Sequence, residues 1–280
     1  MATAKELFQQ GELTAAIAQL ISEVKARPTD TSARIFLFEL LCFTGEWDRA
    51  ERQLDVIATQ GAQTELGVMA YRNCLKAERE RRKLWAEGAQ PHFLADPPEY
   101  IDLHLAAINQ VRAGNLTEAR ALLDQAEEQR AALPGNADEV EFYDLRDADD
   151  FVAPVLEVVV KDQYAWIPLA QIRRLQIGKP EQLRDLLFTP VRVELIDGTQ
   201  GQFFLLALYT GSSEAANEAA KLGRATEWQA LSDDLARGVG SRMWMVGDDD
   251  KLVFDIESVE FQAADDSEDE TETNEESTED

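Results

Sequence analysis

"TGEWDRAERQL", residues 44–54, decides how this chain is read, because two other stretches repeat its pattern. "QGELTAAIAQL" lies upstream at 10–20 and "AGNLTEARALL" downstream at 113–123. Each sets a glycine (Gly11, Gly45, Gly114), then Glu or Asn, then Leu or Trp. An alanine follows five places after the glycine (Ala16, Ala50, Ala119). Gly11 and Gly45 are 34 residues apart, and Gly45 and Gly114 are 69 apart, close to twice that. A period near 34 with helical patterning marks a tetratricopeptide-type array of helix pairs. The glycine ends one helix because it adopts a positive φ without strain. The small alanine lets two helices approach, and a leucine four places later (Leu20, Leu54, Leu123) lies on the same face one turn on. Pro28 stops a helix 17 residues after Gly11.

Working outward, apolar periodicity predicts helices near 4–10, 13–26, 32–43, 47–59, 65–86, 99–113 and 116–132. The array is irregular. No glycine-broken pair occurs near residue 79, where "LKAERERRKLW" reads as one long helix. A TPR-like helical domain is therefore expected over 1–133. Pro134-Gly135 then breaks the helical texture, and 134–150 reads as an acidic, solvated linker carrying Asp144, Asp147, Asp149 and Asp150.

Beyond the linker the pattern alternates. "VLEVVVKDQYAWIPL" reads as two strands about a turn at Lys161 to Gln163. "VRVELIDGTQGQFFLLAL" carries the hairpin signal Asp197-Gly198, and "RMWMVGDDDKLVF" turns at Gly247 to Asp250. Short helices are expected at 179–188 and 212–223. The fold class is α+β, with a β-rich domain over 151–263. A disordered tail is expected over 264–280, since ten of its residues are acidic and none is Lys or Arg.

Those ten charges leave the rest of the chain at −17 from a total of −27. Such a field repels phosphate backbones and anionic lipid surfaces, so nucleic acid is not an expected partner. No run long and apolar enough to insert in a membrane is present, and no apolar signal core opens the chain. A cytoplasmic location with reduced thiols at Cys42 and Cys74 is expected.

No chemical motif rises above these patterns. His92 and His104 have no partners at metal-ligand spacing, and no phosphate loop or nucleophile elbow occurs. No cofactor, metal or catalytic residue is expected. The run "ERERRK" at 78–83 reads as an exposed helix face with internal ion pairs. "LGRATEW" (222–228) and "GVGSRMW" (238–244) each bring an Arg and a Trp together, either as a core Trp with the Arg stacked on it or pairing the linker carboxylates, or as recognition anchors.

The order "WIPLAQIRRLQI", "PEQLRDLLF", "VELIDGTQGQFFLLALYTGS", "LGRATEW" and "GVGSRMW" resembles the ImpE/SciE/TagJ family, accessory proteins of bacterial type VI secretion. The resemblance covers residues 1 to about 262. It implies a cytoplasmic, non-enzymatic adaptor that binds the small contractile-sheath subunit through a helix near that subunit's N-terminus. It also implies a link to the AAA+ ATPase that recycles the sheath. Candidate partner-binding or structural residues are Arg184, Asp185, Arg224, Trp228, Arg242 and Trp244. Gly11, Ala16, Gly45, Ala50, Gly114 and Ala119 are the candidates for repeat packing. Stacked helix pairs offer a concave surface to an amphipathic helix, and the acidic field favours Lys or Arg on its flanks. A holding chaperone for a basic unassembled subunit, or a hydrolase in the second domain, are the alternative readings.

Overall fold

A computed structural model describes residues 2–59 and 62–262, without the side chains of 62–64. The expected disordered tail at 264–280 lies outside the described residues. The helical half contains α1 (Ala4–Gln9), α2 (Leu13–Ala26), α3 (Thr31–Phe43), α4 (Trp47–Ala58), α5 (Ala62–Glu87), α6 (Tyr100–Ala113) and α7 (Leu116–Gln129). Helices α1 and α2, α3 and α4, and α6 and α7 pack as antiparallel neighbours.

The three glycines close the first helix of each pair in one way. Gly11, Gly45 and Gly114 have φ of 82°, 70° and 80°. Each donates its N–H to the carbonyl three residues back, of Phe8, Cys42 and Val111. The next residues, Glu12, Glu46 and Asn115, donate to carbonyls five back, of Leu7, Leu41 and Gln110. This crossed pair is a Schellman ending, and it satisfies carbonyls that the finished helix leaves open. A Cβ at Gly11 or Gly114 would meet nothing within 4 Å, so conformation alone calls for glycine there. At Gly45 a Cβ would also lie 2.8 Å from Ser213 Oγ. Ala16, Ala50 and Ala119 are fully buried in the helix seams, with Leu20, Leu54 and Leu123 buried one turn on.

A nine-stranded sheet forms most of the second half. Its strands are β1 (His92–Phe93), β2 (Gly135–Ala137), β3 (Val140–Phe142), β5 (Val155–Val160), β6 (Gln163–Pro168), β7 (Ile172–Ile177), β8 (Phe188–Leu195), β9 (Gln200–Leu206) and β14 (Ser258–Phe261), in spatial order β1-β6-β5-β9-β8-β7-β14-β2-β3. A smaller sheet orders β13 (Asp249–Leu252), β12 (Met243–Val246) and β4 (Leu145–Asp147), and β10 (Thr226–Ala230) pairs with β11 (Ala236–Gly240). Strand alternation splits the core in two. Val155, Val159, Tyr164 and Trp166 belong to one cluster with the helices. Leu156, Val158, Ala165 and Ile167 point the other way, into a cluster with Trp244, Val253 and Val259. The second half is thus an α+β unit that is mainly strand.

Several expectations are corrected here. Residues 134–150 are not a solvated linker. They form β2, β3 and β4, and Asp147 and Asp149 are buried. The expected helix at 179–188 shrinks to one 3-10 turn, Leu183–Leu186, before β8 begins. The Asp185 carboxylate accepts the N–H groups of Glu181 and Gln182, which holds that stretch in a turn. The helix expected at 212–223 divides into a 3-10 turn (Ser212–Glu214) and the four-residue α8 (Glu218–Lys221).

"ERERRK" is corrected too. Arg81 is buried, and its guanidinium reaches across to the β-rich half, donating to Leu208 O at 2.6 Å and lying 3.4 Å from Glu157. The two halves also meet where Glu218 of α8 accepts the N–H of Leu13, at 2.9 Å, at the start of α2. That N–H belongs to a helix whose own N-cap residue, Glu12, makes no capping bond, so the neighbouring half supplies the acceptor.

Candidate partner-binding groove

The α3–α4 pair converges on the first part of α5 and leaves a cleft of about 170 Å³. Ile35 and Phe38 of α3, Leu54 and Ile57 of α4, and Val68 and Tyr71 of α5 line it, and Arg184 closes one end. The cleft follows from helix periodicity. Leu54 and Ile57 are three apart on one face of α4, and Val68 and Tyr71 three apart on one face of α5. Gly67 adds no side chain to the wall, and a Cβ there would meet nothing within 4 Å. Beside it on α5, Leu66 is 72% exposed and Met69 53% exposed.

Arg184 is held rigidly. It donates to Tyr71 Oη at 2.7 Å and to Glu39 Oε1 at 2.8 Å, and its guanidinium lies 5.1 Å from the Tyr71 ring centre. Burial raises the Glu39 pKa, and Arg184 offsets only part of that. The Arg184 charge itself is favoured, since Tyr71 and Glu39 outweigh its partial burial. From its turn Arg184 ties two helices together, α5 through Tyr71 and α3 through Glu39, and so fixes geometry as well as charge. Arg184 therefore forms a preset polar end to an apolar cleft.

The six candidate recognition residues do not come together. Arg184 is at the cleft, and Asp185 beside it is spent on its own turn. Arg224 lies over Phe8 of α1, and Trp228 is 43% exposed on β10 and packs on Tyr209. Arg242 and Trp244 are buried in the core. Arg242 binds Asp147 at 2.6 Å, bonds to Glu157, and lies over Tyr209. Neither Arg–Trp pair is a stacked pair, but Trp244 is a core residue and Arg242 pairs a carboxylate of the 134–150 stretch, Asp147.

The buried carboxylates invite an acid–base reading, which the packing opposes. Burial weakens the acidity of Asp147, even with Arg242 and Tyr209 bonded to it. Asp149 is raised to about 7 by burial and accepts from Gly238 N and Phe151 N. Burial works against the charge of Glu157 as well, but Arg81 and Arg242 outweigh it and lower its pKa. The cavity at Glu78, Arg81 and Tyr209 holds only about 20 Å³, roughly one water's worth of space. Among the described residues no group of three or more His, Cys, Asp or Glu could hold a metal ion, and no helix is long and apolar enough to cross a membrane.

Sequence reasoning missed Tyr71, Ile57 and Val68. The signal that could have found them is the glycine set inside an otherwise regular helical run, "ELGVMAYR".

Comparison with known proteins bears on the whole chain. The family model "ImpE protein" matches residues 139–260, which is the β-rich half alone. Over 262 residues the chain is 35% identical to the type VI secretion system accessory component TagJ of Pseudomonas aeruginosa, covering 94% of this chain and 92% of that protein. The crystal structure of protein VPA1032 from Vibrio parahaemolyticus superposes with a TM-score of 0.85 at 25% identity, covering 93% of this chain and 97% of that one.

Proposed function

The chain belongs to the ImpE/TagJ family of type VI secretion accessory proteins, and from that premise we propose that it is a non-enzymatic cytoplasmic adaptor whose helical half receives a helix of the small sheath subunit. The observation that carries this reading is the apolar cleft beside the exposed Leu66 and Met69 of α5, with the nearly buried Leu54, Ile57 and Val68 as its floor and the fixed Arg184 in its lining. An amphipathic helix lays anchors at i, i+3, i+4 and i+7 into such a groove. A preformed cleft loses little order on binding, which favours affinity from a small contact. The family resemblance supplies the sheath subunit as the occupant and the AAA+ recycling ATPase as the second contact of the adaptor.

Calorimetric titration with a peptide from the N-terminal helix of the cognate small sheath subunit tests this. The parent chain should bind it, and Leu66→Asp and Met69→Asp, at exposed positions beside the cleft, should each weaken that binding while melting as the parent does. Undiminished affinity in both variants would place the contact elsewhere. Retention of the ATPase by the parent chain on a sheath-peptide column tests the second contact.

A further inference from the structure

The cleft is not isolated. Tyr71 is shared with a second, larger concavity of about 670 Å³ on the open sheet, lined by Pro190, Arg192, Gln202 and Phe204. Arg192 and Gln176 are shared in turn with a third, of about 190 Å³, that also touches Arg174, Glu194 and Gln200. Strand register explains the continuity. Pro190 faces Phe204 and Arg192 faces Gln202 across β8 and β9, while Gln176 faces Arg192 across β7 and β8. The Phe204 ring lies 5.9 Å from Tyr71, so the sheet ledge begins where the helical cleft ends.

Polarity changes along this path. The cleft is apolar up to Arg184. On the larger ledge Arg192 is the one charged side chain among the described lining residues. It is exposed and forms no ion pair with a described residue. Of the carboxylates nearby, Glu260 is paired to Arg174 at 2.8 Å, and Glu194, which accepts from Gln200 at 3.2 Å, faces Arg174 across β7 and β8. In a chain with twice as many carboxylates as Lys and Arg, this end of the groove offers an open guanidinium.

We propose that the groove takes one continuous partner segment with two parts: an apolar helix over Leu66, Met69 and the cleft beside them, and an adjoining carboxylate-bearing stretch on the ledge, paired to Arg192. This rests on the docking reading above and names the chemistry of what docks. The overall charge of −27 favours basic segments at long range, so a preference for acidic flanks can arise only from this local match.

The test is selection of helical peptides from a displayed library on the full chain, and on full-length Arg192→Glu. Peptides recovered on the parent should carry an apolar i, i+3, i+4, i+7 face with Asp or Glu on one flank. Replacing those acids by Lys should weaken binding by about two- to fivefold, the size of an exposed ion pair. On Arg192→Glu the flank should switch to Lys or Arg. Apolar helices with basic flanks on both proteins would overturn the proposal and leave the cleft standing. Recovery of no apolar helix at all would overturn the docking reading together with it. A synthetic peptide of residues 265–280 should displace the acidic-flanked peptides, and failure to do so counts against Arg192 as the acceptor of carboxylates.

Discussion

Arg81 of α5 and Glu157 of β5 lie 3.4 Å apart, both almost wholly removed from water, and form the bolt between the helical half and the sheet. Arg242 grips Glu157 from the other side, and Tyr164 Oη donates to it as well. Two cations on one buried carboxylate explain why its charge survives burial. Taking away one partner of a buried pair costs about 3–5 kcal/mol, because the group left behind keeps its desolvation penalty. Arg81→Ala should therefore lower unfolding free energy by about that much, and it also strips donors from Leu208 O and Thr210. Urea melts of the parent and the variant check it, and a loss under about 1 kcal/mol would show that Arg242 alone suffices for Glu157.

The same contacts bear on how the chain divides. Residues 134–150 contribute three strands, and Asp144 binds Arg130 of the helical half at 2.6 Å. Limited proteolysis should leave this stretch intact in the native protein. A prompt cut between 134 and 150 would mean that β2 to β4 open readily, and would restore the picture of two halves joined by a free linker.

Legibility divides along the range of the interactions. The helix pairs could be read because a Schellman ending is local: Gly45, Cys42, Glu46 and Leu41 are close in sequence, and their chemistry is written there. The hairpins at Lys161, Asp197-Gly198 and Gly247 are local for the same reason. "DLRDADD" misled because its partners are remote. Asp147 meets Tyr209 and Arg242, 62 and 95 residues on, and Asp149 meets Gly238, 89 residues on. Nothing within the stretch distinguishes a carboxylate that will be buried from one left in water. "ERERRK" failed in the same way, since one arginine of a charged run turns inward to Leu208 and Glu157. The groove was illegible because Tyr71, Arg184 and Phe204 come from three distant segments.

His104 and Asp149 should hide each other's effect on stability. Burial lowers His104 to about 4, so between about 4 and 6.5 the unfolded chain holds a proton that the folded chain lacks. Stability then falls as pH drops through that window. Burial raises Asp149 to about 7, so from its ordinary 3.8 up to 7 the folded chain holds the extra proton. Stability then falls as pH rises. The slopes are each about 1.4 kcal/mol per pH unit with opposite sign. Asp149→Asn should leave stability rising with pH up to about 6.5, relative to the parent. His104→Gln should leave it falling toward pH 7. Urea midpoints at pH 4.5, 5.5, 6.5 and 7.5 read both slopes, and identical profiles in the three proteins would contradict both assignments.

Ala50 tests the repeat itself. Its methyl is fully buried where α4 meets α3, one turn from Leu54, which lines the cleft. Ala50→Leu adds three carbons to a packed seam, and overpacking costs about 1–3 kcal/mol. The backbones must part to admit it, so α4 moves relative to α3 and Leu54 and Ile57 move with it. Affinity for an apolar helix should fall although Ala50 does not line the cleft. Arg49 is the control next door: it is partly exposed and, among the described residues, paired with Glu46 one turn back, so Arg49→Ala should change stability by less than about 1 kcal/mol. Thermal melts and peptide titrations on both variants separate the two effects. An Ala50→Leu chain as stable as the parent, binding equally well, would mean that the seam has slack and that the glycine–alanine repeat does not set the shape of the groove.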